Sequence, residues 1–340
     1  MKDLYNLHNF YNVETNGKSS KKLNNRGKSF GYQVLGFGSG GVAEILFSAN
    51  QLGLFGFGAP ASGYVSTTNL VSTSGVVASD TAGVGTGRTS PSGCSYGEDK
   101  GIVAYGYTSG AYQNISNLVS NVGVVATDTT SIAGTARYKL AATTFGGDKG
   151  IFGYGMTYPT DLGMTNIVSN VGVVASDVSV VGTPRTALAA TGYGSNRQTA
   201  IFGYGNEDNG TYLSMTNLVS SVGVVAADVS GVGTARHGLA AARYGDDKGI
   251  FGYGTAGYNI SLTNLVSSVG VIASDTTGVG TARHWTSACG YGGDKCVFAY
   301  GTVVYPSNLS NKVSNVGVVA TDTAGVGTAR ANLAALSYSI

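Results

Sequence analysis

Apolar residues in this chain fall into short runs broken by glycine, serine and asparagine, and the same runs return along the chain. The segment NLVSSVGVVAADVSGVGTARHGLAAARYGDDKGIFGYG begins at Asn217, with close copies from Asn69, Asn117, Asn166 and Asn264 and a truncated copy from Asn311. No segment sustains a 3.6-residue apolar period, so helices are not expected. One arginine marks each copy (Arg88, Arg137, Arg185, Arg236, Arg283 and Arg330), at spacings of 49, 48, 51, 47 and 47 residues. One aspartate recurs with it: Asp80, Asp128, Asp177, Asp228, Asp275 and Asp322. A period of this length with strand-like content predicts propeller blades.

Each unit divides into four predicted strands. In one of them these are Arg236–Tyr244, Gly249–Gly254, Thr263–Ser267 and Gly270–Asp275. The first turn is Gly/Asp/Lys-rich, as at Gly147-Asp148-Lys149, and the last is Ser/Asn-rich, as at Ser120-Asn121. Both suit hairpins, because Gly and Asn tolerate positive φ. The array begins with Gly53–Gly58, which matches a second strand with no first strand before it. It ends with Arg330–Ser339, which matches a first strand with nothing after it. Pairing the two completes a blade and removes two open edges. The expected fold is therefore all-β: a six-bladed β-propeller with four-stranded blades over residues 46–340, closed by the C-terminal strand. An extended N-terminal arm over residues 1–45 precedes it.

Over roughly residues 52–340 the pattern resembles the kelch propellers. TARHGLAAARYG matches the Arg-led kelch strand, and GIFGYG matches the apolar strand that follows. Gly-Tyr-Gly or Ala-Tyr-Gly stands where kelch has Gly-Gly, and the recurring kelch tryptophan is missing, Trp285 being the one tryptophan. The resemblance thus implies architecture and not kelch cellular functions. The tandem form GVVAxDxxGVGTAR…DKxIFGYG is also similar to units in structural proteins of tailed bacteriophages. The stretch Gly31–Gly41 is similar to virion appendage proteins. This second resemblance implies a bacteriophage virion structural protein of the tail, fibre, baseplate or head decoration. It would assemble in the host cytoplasm, with an oligomeric state set by the virion.

Composition narrows the partners. A formal net charge of +2 argues against a nucleic-acid binder. Three cysteines (Cys94, Cys289 and Cys296) are not a disulfide framework and fit a reducing compartment. The opening MKDLYNLHNFYN has no apolar signal-peptide core, and no run of eighteen apolar residues predicts a membrane span. The first 45 residues carry Lys18, Lys21, Lys22, Arg26 and Lys28, followed by apolar Val34, Leu35 and Phe37. They read as an arm that anchors to other virion proteins, against the plainer reading of a solubilising tail.

Candidate chemistry is sparse. The six arginines either ring a channel and bind an anion, or pair with the recurring aspartates inside the scaffold, and their repetition favours pairing. His237 and His284 follow the marker arginine in adjacent blades, but a metal site needs three or four convergent ligands. Cys289 and Cys296 flank one hairpin and read as small apolar fillers. Gly83–Gly87 lacks the Gly-Lys-Ser/Thr of a phosphate loop. No cofactor, metal or catalytic set is expected, and the chain reads as a non-enzyme. What varies between copies is the loop after the second strand. Every such loop carries tyrosine: Tyr64, Tyr107 and Tyr112, Tyr158, Tyr212, Tyr258 and Tyr305. Asp161, Glu207 and Asp208 are the acidic residues of these loops. Tyrosine offers apolar area plus a hydroxyl, which suits a protein or host-surface glycan. The alternatives are tyrosines that merely cap the blade ends, a free lectin-like propeller, and a polysaccharide-degrading enzyme using the loop carboxyls.

Overall fold

A computed structural model describes residues 51–179 and 182–340. The anchor arm of residues 1–45 and the Gly31–Gly41 stretch lie outside the described residues. The described chain is all-β, built of small antiparallel sheets. Among the described residues the one helical turn is Ser195–Arg197, and no helix is long and apolar enough to cross a membrane.

Six sheets have three or four strands, and two further ribbons have two. The middle strands are Leu52–Gly56, Lys100–Ala104, Lys149–Gly153, Thr199–Asn206, Lys248–Gly252 and Lys295–Ala299. Each is flanked by a first strand and a third strand of its own unit. The first strands are Ser92–Tyr96, Ala141–Phe145, Ala189–Tyr193, Ala240–Tyr244, Ser287–Tyr291 and Ala334–Tyr338. Middle strands such as Gly-Ile-Phe-Gly are apolar throughout because neighbouring sheets cover both of their faces. First strands favour Ala, Ser, Gly and Thr because all six crowd round one central cavity. Residues 90–93, 139–142, 187–190, 238–241, 285–288 and 332–335 line it, four from each unit.

The sheet containing Leu52–Gly56 is completed from the far end of the chain. Leu54 faces Leu336 and Gly53 faces Ser337 in antiparallel register. This is the pairing expected from the split copy. The predicted fourth strand differs from expectation. In five units it makes only isolated bridges, such as Val119↔Val125 and Ser116↔Thr129, and one unit alone forms a short fourth strand, Val178–Ser179. Beside these bridges the Asn117 amide donates to the Ala126 carbonyl and to Asp128, as Asn166 does to Ala175 and Asp177 in the unit that has the fourth strand. The first strand also starts later than expected, at Ala240 and not at Arg236, because the arginine turns into the interior.

The core has no single centre. Six apolar clusters lie between successive sheets. One joins Cys94, Ile102 and Tyr105 to Leu140, Phe152 and Val168. Another joins Leu54, Phe57 and Leu336 to Val103 and Val119. Two belts of backbone hydrogen bonds cross these seams. At one end of the cavity, Ser90 N–H donates to Asn332 O, Asn332 to Trp285, Trp285 to Gly238, Gly238 to Ala187, Ala187 to Lys139 and Lys139 to Ser90, at 2.6–3.3 Å. The cycle closes on itself. All six residues have φ between 50° and 62°. At the other end, each first hairpin reaches the next: Gly97 to Asp148, Gly146 to Gln198, Gly194 to Asp247, Gly245 to Asp294, Gly292 to Gln51 and Ser339 to Asp99.

Candidate functional site

The marker arginines are wholly buried, at 0% exposure. Arg137 is representative. Its Nε donates to the Tyr154 carbonyl at 2.8 Å, Nη1 to the Thr135 carbonyl at 3.1 Å and Nη2 to Asn166 Oδ1 at 2.7 Å. Its guanidinium lies 4.4 Å from the ring centroid of Tyr105, in the preceding sheet. Asp177 accepts from the Thr135 amide at 3.0 Å and the Thr135 hydroxyl at 2.7 Å, and its Oδ1 lies 3.9 Å from Arg137. Burial alone would raise the Asp177 carboxyl. The Thr135 and Asn166 hydrogen bonds and the Arg137 charge together hold it below its ordinary value. Burial pulls Arg88 down to about 10, against the pull of Asp128, which leaves it charged at neutral pH.

The anion-ring reading of these arginines therefore fails, since none of them lines the cavity. Pairing holds, but not with the aspartate eight residues earlier. Arg137, Arg185, Arg236 and Arg283 face Asp177, Asp228, Asp275 and Asp322 of their own sheets, and Arg330 faces Asp80 at 3.8 Å, from opposite ends of the chain. The GVGTAR motif has a matching explanation. Gly85 sits at φ +82°, and a Cβ there would lie 2.4 Å from Asp128 Oδ1. Only glycine lets the following threonine reach the aspartate.

The variable loops lie at the cavity end carrying the first belt. The residue after each marker arginine bridges the start of a loop: Thr89↔Tyr107, Tyr138↔Met156, Thr186↔Asn206, His237↔Thr255, His284↔Thr302 and Ala331↔Ala59. Two loops form small hairpins, Tyr107–Thr108 with Ala111–Tyr112 and Met156–Thr157 with Thr160–Asp161. A third extends its parent strands as Thr199–Asn206 and Tyr212–Val219.

These hairpins assemble an aromatic cluster. The rings of Tyr107, Tyr112 and Tyr138 are mutually 5.5–5.6 Å apart, and Tyr64 meets Tyr107 edge-on at 6.3 Å. Tyr158 N–H donates to the Tyr112 hydroxyl at 2.9 Å, while its own ring is 75% exposed. Lys139 and Trp285 hold opposite places in the hydrogen-bonded cycle. Lys139 Nζ nevertheless lies 5.1 Å from the Tyr138 ring and 5.3 Å from the Trp285 ring, so the lysine spans the mouth. Trp285 continues the arc to His237 at 5.4 Å and His284 at 5.8 Å, and His237 packs on Tyr212 at 5.0 Å. Burial, with the charges of His284 and Lys139, pushes His237 down to about 4, so it is neutral at pH 7.

Of the tyrosines singled out by sequence, the structure gathers Tyr64, Tyr112 and Tyr158 around Tyr107, and places Tyr212 on the histidine side. Tyr258 and Tyr305 stand apart, 70% and 78% exposed. The three acidic residues do come together. Asp208 N–H donates to Asp161 Oδ2 at 2.6 Å, and Asp161 Oδ1 is buried without a partner among the described residues. Burial, with Asp208 and Glu207 nearby, lifts the Asp161 carboxyl to about 6 despite that hydrogen bond and Lys139.

Tyr138, Lys139 and Trp285 escaped the sequence reading. Their signal was position: they follow the marker arginine by one or two residues, where the strand enters the cavity. The cysteines are buried free thiols, and burial pushes Cys94 up to about 12. Among the described residues, no three His, Cys, Asp or Glu side chains converge to hold a metal. No protein-family model matches the chain, and no curated protein matches it.

Proposed function

We propose that this chain is a kelch-like six-bladed propeller serving as a non-enzymatic virion component of a tailed bacteriophage, with its aromatic mouth contacting host-surface carbohydrate. Support for the propeller comes from the two closed belts, the Leu52–Gly56 pairing with Ala334–Tyr338, and the cavity lined by six first strands. The Tyr-Gly pairs at the kelch Gly-Gly position fit as well. Tyr105 and Gly106 are both left-handed, at φ 62° and 110°, a conformation that Gly-Gly adopts freely.

The observation carrying the carbohydrate reading is the cluster of Tyr64, Tyr107, Tyr112, Tyr138 and Tyr158, continued by Lys139 and Trp285. Aromatic faces cover the apolar side of a sugar ring while hydroxyls and an ammonium take its polar edge. A glycan array with the purified protein tests it, Tyr112→Ala and Tyr138→Ala being expected to lose the signal. The virion role rests on the sequence resemblance, and imaging of labelled protein on particles tests it. Particles made with a chain lacking residues 1–45 test the anchor.

A second reading has its own observation. Asp161, with its carboxyl lifted to about 6 beside Asp208 and Glu207, has the character of a proton donor for glycoside cleavage. Asp161→Asn abolishing release of reducing ends from host polysaccharide would favour that enzyme. No release from the unaltered protein would remove it.

A further inference from the structure

We infer that the hairpin end of the central cavity, opposite the aromatic mouth, binds a small tetrahedral oxyanion through Arg197 and Arg243. Both side chains line that part of the cavity, together with Ser95, Thr144, Thr191 and Ser337.

The two arginines arise from separate departures from the repeat. Four hairpins between first and second strands turn through Gly-x-Asp-Lys, at residues 97–100, 146–149, 245–248 and 292–295. The fifth reads Gly194-Ser195-Asn196-Arg197-Gln198 and forms the helical turn Ser195–Arg197. Asn196 and Arg197 are both left-handed there, at φ 53° and 56°. Consecutive non-glycine residues in that region are strained, and strain of this kind gathers at functional sites. Arg243 lies in the next unit, one residue before the tyrosine that ends the first strand. At that place the other units have Ser95, Thr144, Gly192, Gly290 and Ser337. An arginine stands where each of the other units turns a small residue to the cavity.

The charges are poorly matched by the protein itself. Arg197 is 7% exposed, yet no hydrogen bond or ion pair holds its guanidinium among the described residues. Arg243 donates Nη2 to the Gly194 carbonyl at 2.8 Å, while its Nε is buried and unpartnered. Each marker arginine, more deeply buried than Arg197 and the half-buried Arg243, has carbonyl, asparagine and aspartate partners. Here two guanidiniums face one cavity with spare donors, and the acids within electrostatic reach are Glu98 and Asp148 for Arg197 and Asp246 and Asp247 for Arg243. Of these, Asp148 and Asp247 already pair with Lys149 and Lys248. Buried cations lacking partners are costly. An oxyanion would satisfy both, since a guanidinium fork matches tetrahedral oxygens.

Calorimetric titration of the full chain with inorganic phosphate is the test, with melting by circular dichroism to verify folding. Saturable binding is expected. Arg197→Gln and Arg243→Gln should each weaken it about tenfold or more, and Lys312→Gln, far from the cavity, should leave it unchanged. Arg197→Lys keeps the charge and should retain weakened binding even if the glutamine variants fold poorly. No saturable heat with the unaltered protein would overturn the assignment. So would variants that bind as it does, or binding of a short uronate oligomer in place of phosphate. The glycan-array result at the mouth is independent of each of these outcomes.

Discussion

The seams between sheets and the mouth of the cavity are built from opposite materials. Each seam repeats one arrangement: a buried arginine stacked on the preceding sheet's aromatic ring, bonded to an asparagine, beside an aspartate held by threonine. The mouth repeats almost nothing. Tyr138 stands at the place held by His237 and His284 in two other units, and Lys139 stands where another unit has Trp285. The recurring arginines of the seams are answered within the scaffold. Most buried side-chain atoms without a partner among the described residues lie at positions that vary between units, including Asp161 Oδ1, His237 Nδ1, His284 Nδ1 and Arg243 Nε. In a repeat protein, the position that breaks the pattern is the one to test for function.

Arg137→Ala should give the largest effect on stability, because it strips Asn166 and Asp177 of their buried cation. A loss of about 3–5 kcal/mol is expected by denaturant unfolding, and a loss below about 1 kcal/mol would mean that the seams are held by apolar packing alone. Asn166→Ala should follow at about 1.5–3 kcal/mol, the range for hydrogen bonds to charged groups, with a matching fall in thermal midpoint.

The acidic corner of the mouth predicts a pH effect of definite sign. The folded Asp161 carboxyl titrates near 6 against an ordinary 3.8. The folded state therefore holds a proton that the unfolded state has released between those values. Through Asp161 stability falls as pH rises from about 4 to about 6, while His237, pushed down to about 4, contributes the opposite slope up to about 6.5. Asp161→Asn should therefore make stability rise more steeply with pH over this window than in the unaltered protein, and an unchanged profile would mean that Asp161 contributes nothing to it. The smallest effect belongs to Tyr258→Ala, whose exposed ring stands apart from the cluster. A stability change within about 0.5 kcal/mol is expected, with no change in carbohydrate binding.

Much of this architecture could be read in the sequence. Strand order, the split unit and the pairing of Leu52–Gly56 with Ala334–Tyr338 followed from repeat spacing, because register in such units is carried by short local motifs. The scaffold role of the arginines was also legible from their repetition. Their partners were not, since the aspartate close in sequence lies in another sheet and the true partner lies about forty residues on. GVVAAD has strand composition, yet in five units this segment makes only isolated bridges to the third strand. The sequence expectation that the tyrosine-bearing loops emerge on one face agrees with their place at one end of the cavity. Tyr258 and Tyr305 show that loop membership does not decide clustering. Tyr138 and Lys139 joined the cluster through backbone bridges that no motif announces.

The most direct test of the account is a glycan array comparing the unaltered protein with a Tyr112→Ala/Tyr138→Ala double variant of unchanged melting temperature. The unaltered protein is expected to bind a defined set of host-surface glycans and the double variant to lose them. Equal binding by the two proteins, or no binding by either, would contradict it.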